Sequence, residues 1–191
     1  MTRKDLGVVE LAATLQEQGD FRRAIDILDG LILPADRPAE ISSELSVKFA
    51  LAYLAADRDI DAEKWLMRAL VANPRSSRAR KLLAFVYLRS SRAECSLVEL
   101  QRGLAADQND AEIHFLIAES LFALGRLDEA ADAYSASLDL RPAFPEALCN
   151  FGCLLRVQGK SATAIEVLEK AVALKPDFVT ALSALALALH D

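Results

Sequence analysis

Residues 111–178 read AEIHFLIAESLFALGRLDEAADAYSASLDLRPAFPEALCNFGCLLRVQGKSATAIEVLEKAVALKPDF, and they decide the fold because their two halves agree 34 residues apart. Gly125-Arg126-Leu127 recurs as Gly159-Lys160-Ser161, and Arg141-Pro142 recurs at the same distance as Lys175-Pro176. A fixed period of this length is the mark of a stacked array of supersecondary units. Carried outward, it cuts the chain into units 5–38, 43–76, 77–110, 111–144 and 145–178, with an insertion at 39–42 and a partial unit from 179. Prolines fall at the ends of units and glycines are sparse, so most of the chain is free to be helix.

Aligned by the period, the units agree where helix packing requires it. The seventh position is large and apolar: Leu11, Phe49, Leu83, Ile117, Phe151 and Leu185. The eighth is small: Ala12, Ala50, Ala84, Ala118, Gly152 and Ala186. A large residue beside a small one lets a second helix approach closely, and a second small residue stands at position 20 as Ala24, Ala62, Ser96, Ala130 and Ala164. Position 11 (Leu15, Tyr53, Tyr87, Leu121, Leu155) lies one turn beyond position 7, and position 24 (Leu28, Leu66, Leu100, Tyr134, Leu168) fills the facing stripe. Gly19, Gly125 and Gly159 fall between the two helices of their units, where a left-handed residue ends the first helix, while Pro74, Pro142 and Pro176 close the second. Each unit reads as a helix pair.

This pattern resembles the tetratricopeptide repeat, and the resemblance runs the length of the chain. Unit 43–76 carries Phe49-Ala50, Tyr53, Ala62, Leu66, Ala69 and Pro74; unit 145–178 carries Phe151-Gly152, Gly159, Ala164, Ala171 and Pro176. Three middle units depart from it at the position usually held by Trp or Leu, with Ser46, Arg80 and His114, and unit 77–110 has Ser91 for Gly and Gln108 for Pro. The resemblance implies an all-α, right-handed superhelical solenoid of antiparallel helix pairs, five repeats and a terminal helix at 179–190, forming a single array over 1–191. It also places positions 2, 5, 6, 9, 12 and 13 of each first helix on a concave groove. The residues read there are Val47, Leu51, Leu54, Lys81, Phe85, Leu88, Phe115, Glu119, Phe122 and Asn150, a mostly apolar set. Contiguous exposed apolar surface marks a binding site, since each large side chain left in water forgoes about 1.5–3 kcal/mol. The expected function is therefore a non-catalytic scaffold that binds an apolar peptide or helix of a partner protein. Burial of the same side chains by curvature, or pairing of the chain with itself, are the alternatives. A clamp for a C-terminal carboxylate fits badly, because no Asn stands at position 9 and Glu119 there repels a carboxylate.

Charge and composition narrow the partner classes. The 191 residues are 53% hydrophobic with a net charge of −6 and a pI near 5.0, which lacks the basic footprint of a nucleic-acid binder. The longest apolar stretch, 179–189, is too short to span a bilayer, and the start has no signal-peptide core. Three cysteines do not form a disulfide framework, so a cytoplasmic location is expected. Cys149 and Cys153 are one helical turn apart and could share a metal or respond to oxidation, but no second ligand pair accompanies them, and packing as small apolar side chains explains them. No metal or cofactor is expected. His114 reads as a packed imidazole, Asp128, Glu129 and Asp132 as helix-dipole partners, and Arg75, Arg78, Arg80 and Lys81 as a solvated edge. No phosphate loop, nucleophile elbow or His-Glu-x-x-His motif is present, so no enzyme is expected within these residues.

The last segment, VTALSALALALH at 179–190, is apolar nearly all round, whereas arrays normally end on a helix with a polar outer face. Leu182, Leu185 and Leu189 are therefore expected to make a homo-oligomer contact or to continue the array. Bacterial proteins with similar arrays often carry a glycosyltransferase or sulfotransferase domain downstream, and the resemblance thus also allows a targeting or regulatory region of a larger enzyme.

Overall fold

The computed structural model describes residues 3–30 and 41–190. Eleven helices stand among them, in chain order α1 Arg3–Glu17, α2 Phe21–Asp29, α3 Ser43–Ala55, α4 Asp59–Ala72, α5 Ser77–Arg89, α6 Ala93–Leu104, α7 Ala111–Ala123, α8 Leu127–Leu140, α9 Pro145–Val157, α10 Ser161–Leu174 and α11 Val179–His190. The first and second helices of the expected units are these elements in order. Residues 31–38 of the first expected unit, and 39 and 40 of the insertion, lie outside the described residues. The chain divides into two compact units, Met1–Ser90 with α1–α5 and Ser91–Asp191 with α6–α11, so the expected repeat 77–110 contributes one helix to each.

Local chemistry sets the helix ends. Side-chain oxygens of Asp20, Ser42, Ser76 and Asp110 accept the backbone N–H of Arg23, Leu45, Ala79 and Ile113, capping α2, α3, α5 and α7. The first helices end on a left-handed residue at position 15 of the period: Gly19, Gly125 and Gly159 as expected, and also Asp57 (φ 55°) and Ser91 (φ 57°), which have a Cβ. The backbone pattern is shared. The next residue donates back five residues at 2.9 Å from Asp20 to Leu15, Arg58 to Tyr53, Arg126 to Leu121 and Lys160 to Leu155. This double-bonded helix end satisfies carbonyls that would otherwise be orphaned, and it holds Asp57 in place despite the steric cost of the left-handed region.

Packing follows the small-against-large rule. Ala24, Ala62, Ser96, Ala130 and Ala164 at position 20 are all fully buried, as are Leu66, Leu100 and Leu168 at position 24. In the first unit Phe49 meets the edge of Trp65 at 4.9 Å between ring centroids. Arg58 clamps the end of α2 by ion pairs to Asp29 at 2.5 Å and Asp61 at 2.7 Å, and the Tyr53 hydroxyl donates to Asp29 at 2.9 Å. In the second unit the buried Ser120 and Ser96 hydroxyls bond to each other at 2.8 Å, and Ser137 donates to the Ala111 carbonyl at 2.8 Å. Leu11 departs from the expected packing, being 51% exposed.

The tightest interlock is between Gly152 of α9 and Leu168 of α10. A Cβ on Gly152 would lie 2.5 Å from Leu168 Cγ and 2.8 Å from Cδ2, closer than real contacts allow. Gly152→Ala gains about 1 kcal/mol of helix propensity but forces these helices apart, at a cost of about 1–3 kcal/mol. The expected net result is a lower urea midpoint, partly restored by Leu168→Ala in the same chain; additive effects of the two changes would refute the clash.

Candidate functional site

In the first unit the candidate groove residues lie on α3 and α5. Leu51 and Leu54 on α3 and Leu82 on α5 are half-buried against the core edge, with Leu88 and Lys81 beside them on α5, also half-buried. Phe85 is the open one: 42% of it is exposed, with the Arg89 guanidinium over its ring at 5.9 Å. Arg89 is itself held by Asp57 at 2.8 Å and Asp59 at 3.1 Å. Val47 sits differently from its neighbours, being only 2% exposed inside the core. Nearby, α1 approaches α3 closely enough for the Gln16 amide to donate to the Lys48 carbonyl. Val47 therefore presents no surface to a ligand.

In the second unit α7 and α9 carry the corresponding face. Phe122 is 39% exposed. Phe115 is half-buried in an aromatic group, its ring 5.1 Å from Phe144 and 6.2 Å from Tyr134, and Tyr134 lies 5.9 Å from Phe151. Glu119 accepts hydrogen bonds at one carboxylate oxygen from the Tyr134 hydroxyl and from Asn150 Nδ2, the latter at 2.8 Å. The expected face residues Glu119 and Asn150 are thus brought together, and Tyr134, read from the sequence as core alone, joins them. A signal for this was present: Tyr134 is the one tyrosine at position 24 and Glu119 the one acid at position 9, both in the same repeat. Burial and then the Glu119 charge push the Tyr134 phenol well above the ordinary tyrosine range. Cys149 is fully buried and Cys153 half-buried. The hydrogen bond from Cys149 pulls the Cys153 thiol down to about 7, with help from the Arg156 cation and against burial and Glu119. The same bond and burial push Cys149 up.

The terminal helix α11 buries Ala181, Ala184 and Ala188 and half-buries Leu185 in the second unit's core. Its other side is open: Leu182 is 42% exposed and Leu189 65%. On α9 the residues at the same repeat positions, Leu148 and Leu155, are buried. The difference has a plain cause, since α9 has α10 on that side and α11 has no described helix there.

Other expected features are structural. His114 bonds through Nε2 to the Gln108 carbonyl at 3.0 Å, and Arg126 pairs with Glu129 at 2.5 Å at the start of α8. Trp65 is buried and Met67 exposed. Among the described residues no three His, Cys, Asp or Glu side chains are grouped to hold a metal ion. Surface clefts of about 410–480 Å³ lie at helix junctions, lined for example by Gly125, Asp128 and Gln158, and not on the faces described above.

Sequence profiles of the tetratricopeptide repeat match residues 96–145 and 145–178, which covers most of the second unit. Residues 96–178 are thus tetratricopeptide repeats. Solved structures similar to this repeat protein include YrrB, described as having an unusual peptide-binding site, at 24% identity and TM-score 0.72, covering 95% of this chain and 93% of that one. A MamA structure aligns at 21% identity and TM-score 0.75, covering 92% and 94%. MamA 41-end from Desulfovibrio magneticus RS-1 aligns at 17% identity and TM-score 0.76, covering 94% and 99%. These likenesses show the all-α tetratricopeptide solenoid fold. No curated protein matches the sequence. No helix among the described residues is long and apolar enough to cross a membrane.

The Tyr134 environment makes a pH-dependent statement about stability. Its phenol ionises near pH 10 in the unfolded chain and only at higher pH in the folded one, so the unfolded state loses the proton first. The stability this contributes is fully present below about pH 10 and falls as pH rises beyond it. Tyr134→Phe is expected to flatten that alkaline loss in urea titrations; an equally steep loss in the variant would count against the buried Tyr134–Glu119 contact.

Proposed function

We propose that this repeat protein is a non-catalytic scaffold whose first-helix faces take an apolar peptide or helix of a partner protein. One observation carries the reading: two phenylalanine rings, Phe85 and Phe122, stand 42% and 39% exposed on the face that the repeat class uses for ligands. Half-buried Leu82 and Leu88 stand one turn to either side of Phe85 on α5, and half-buried Glu119 one turn before Phe122 on α7, so an incoming apolar side chain would cover the ring without disturbing the core. In the first unit Leu51, Leu54 and Lys81 complete the proposed lining and Val47 drops out of it; in the second unit Phe115 and Asn150 complete it. The peptide-binding description of YrrB agrees with this use of the fold.

Selection of a random peptide library on the full chain is expected to enrich sequences with two or more apolar anchors. Phe85→Glu together with Phe122→Glu in one chain, checked for native helicity, should weaken the selected peptides at least tenfold, about 1.4 kcal/mol. Leu189→Glu should leave them unchanged. Peptides that bind the double ring variant as well as the native chain would remove the reading.

A second reading rests on α11. Its open side presents Leu182, Ala186 and Leu189, a large-small-large surface that is self-complementary when two copies pack antiparallel, leucine against alanine. We infer a weak homodimer through this helix, weak because a contact between two short helices falls below the area of a standard interface. Sedimentation equilibrium should show mass rising with concentration for the native chain and constant mass for Leu182→Glu with Leu189→Glu. A native chain that is still monomeric at ~1 mM would exclude the contact.

A further inference from the structure

Glu119 is half-buried on the first-helix face of the second unit, and the groups that hold it are neutral. One oxygen, Oε1, accepts from the Tyr134 hydroxyl and from Asn150 Nδ2, the latter at 2.8 Å. Tyr134 is 1% exposed and gives its one proton to this bond, so it has nothing further to offer a ligand. The other oxygen, Oε2, accepts no hydrogen bond among the described residues and is open to solvent, and the same holds for Asn150 Oδ1. Three other acids of this unit have a cation: Glu112 has Arg141 at 3.5 Å, Glu129 has Arg126 at 2.5 Å and Glu146 has Lys175 at 3.7 Å. No lysine or arginine among the described residues pairs with Glu119, and Arg156 on α9 is engaged elsewhere. One turn beyond Glu119 on α7 stands the open ring of Phe122. It too has no cation over it among the described residues, whereas Arg141 stands over Phe144 at 4.7 Å and Lys175 over Phe178 at 4.9 Å.

We propose that this face takes a partner segment carrying an arginine beside an apolar residue, the guanidinium bonded to Glu119 Oε2 and lying against the Phe122 ring. The inference rests on the first-helix face being a peptide site, and it makes Glu119 the residue that selects among peptides. A half-buried carboxylate held only by neutral donors gains from a cation that brings its own N–H groups. The guanidinium has five such groups in one plane and no acceptor, which suits the two open oxygens of Glu119 and Asn150. Its flat face also stacks on an aromatic ring, as the second unit's own Arg141 does on Phe144. Lysine brings a point charge to Oε2 without the planar fork, so it ranks second. A wholly apolar segment would cover Oε2 and leave the charge without a partner, and an acidic one would be repelled. The selectivity therefore lies in the charge of Glu119, while Tyr134 and Asn150 fix its inner oxygen.

The test uses the full chain and synthetic copies of peptides selected on it from a random library, with affinities read by fluorescence anisotropy. Arginine is expected next to an apolar residue in the selected set. Replacing that arginine by citrulline, which keeps the shape and removes the charge, should weaken binding to the native chain about tenfold at low salt and less at high salt. Glu119→Gln, checked for native helicity, keeps an oxygen for Tyr134 and Asn150 and removes the charge. It should bind the arginine peptide about tenfold less tightly than the native chain does and the citrulline peptide about equally. Phe122→Ala should weaken both peptides. Equal binding of the arginine and citrulline peptides by the native chain, which needs no variant, would overturn the proposal, as would an arginine preference that survives in Glu119→Gln. If such peptides are still lost in the double ring variant, the scaffold reading stands without this selectivity. A library that yields no peptide sensitive to the rings would remove both.

Discussion

The helix pairs depend on one steric constraint: a side chain as small as alanine where two helices cross, facing a large one from the partner. Position 8 of the first helix and position 20 of the second supply the small residues, and position 24 supplies the large one. Helices that meet this way bury their apolar stripes at crystal-like density, and a single extra methyl is felt. Gly152 and Leu168 show the limit of the rule, with the leucine occupying the space that a Cβ would need. The turns between paired helices serve the same end. Their left-handed residue at position 15 brings the second helix back along the first, and the geometry is maintained even where Asp57 or Ser91 replaces glycine.

The candidate face is what this constraint leaves over. Positions 8 and 11 of a first helix are committed to its partner, so the residues beside that face on the helical wheel, at positions 9 and 12, are the ones free to meet a ligand. Phe85 and Phe122 occupy such positions. The second unit adds polar chemistry to the same face through a residue that belongs to both layers. Tyr134 fills the core at position 24 with its ring and reaches Glu119 with its hydroxyl, and Glu119 in turn orients Asn150. A leucine there, as in the other repeats, would fill the core equally well and leave the carboxylate without that donor.

The terminal helix α11 shows the same positional logic with one side missing. Ala181 and Ala188 are buried like Ala147 and Leu154 at the same positions of α9, while Ala186, Leu182 and Leu189, whose counterparts Gly152, Leu148 and Leu155 on α9 are buried, remain open. The apolar pattern of the first helices is thus kept in α11, while no described helix covers its Leu182 and Leu189 side.

Helix-pair architecture, the positions of turns and the buried stripes were legible in the sequence, because a 34-residue period repeats the same local packing problem and its solution five times. The small residues at positions 8 and 20 and the large ones at position 24 could be named in advance on steric grounds alone. What an individual side chain on the first-helix face would do was not legible. Val47 and Leu51 are one turn apart on α3, yet the first lies buried within the core cluster and the second only packs against its edge. Phe115 and Phe122 are equally apolar, and only the neighbouring rings of Tyr134 and Phe144 draw one of them inward. Periodicity determines which way a residue points from its own helix axis; how much of it stays in water is set by the neighbouring helices, and that distance is a property of the tertiary structure.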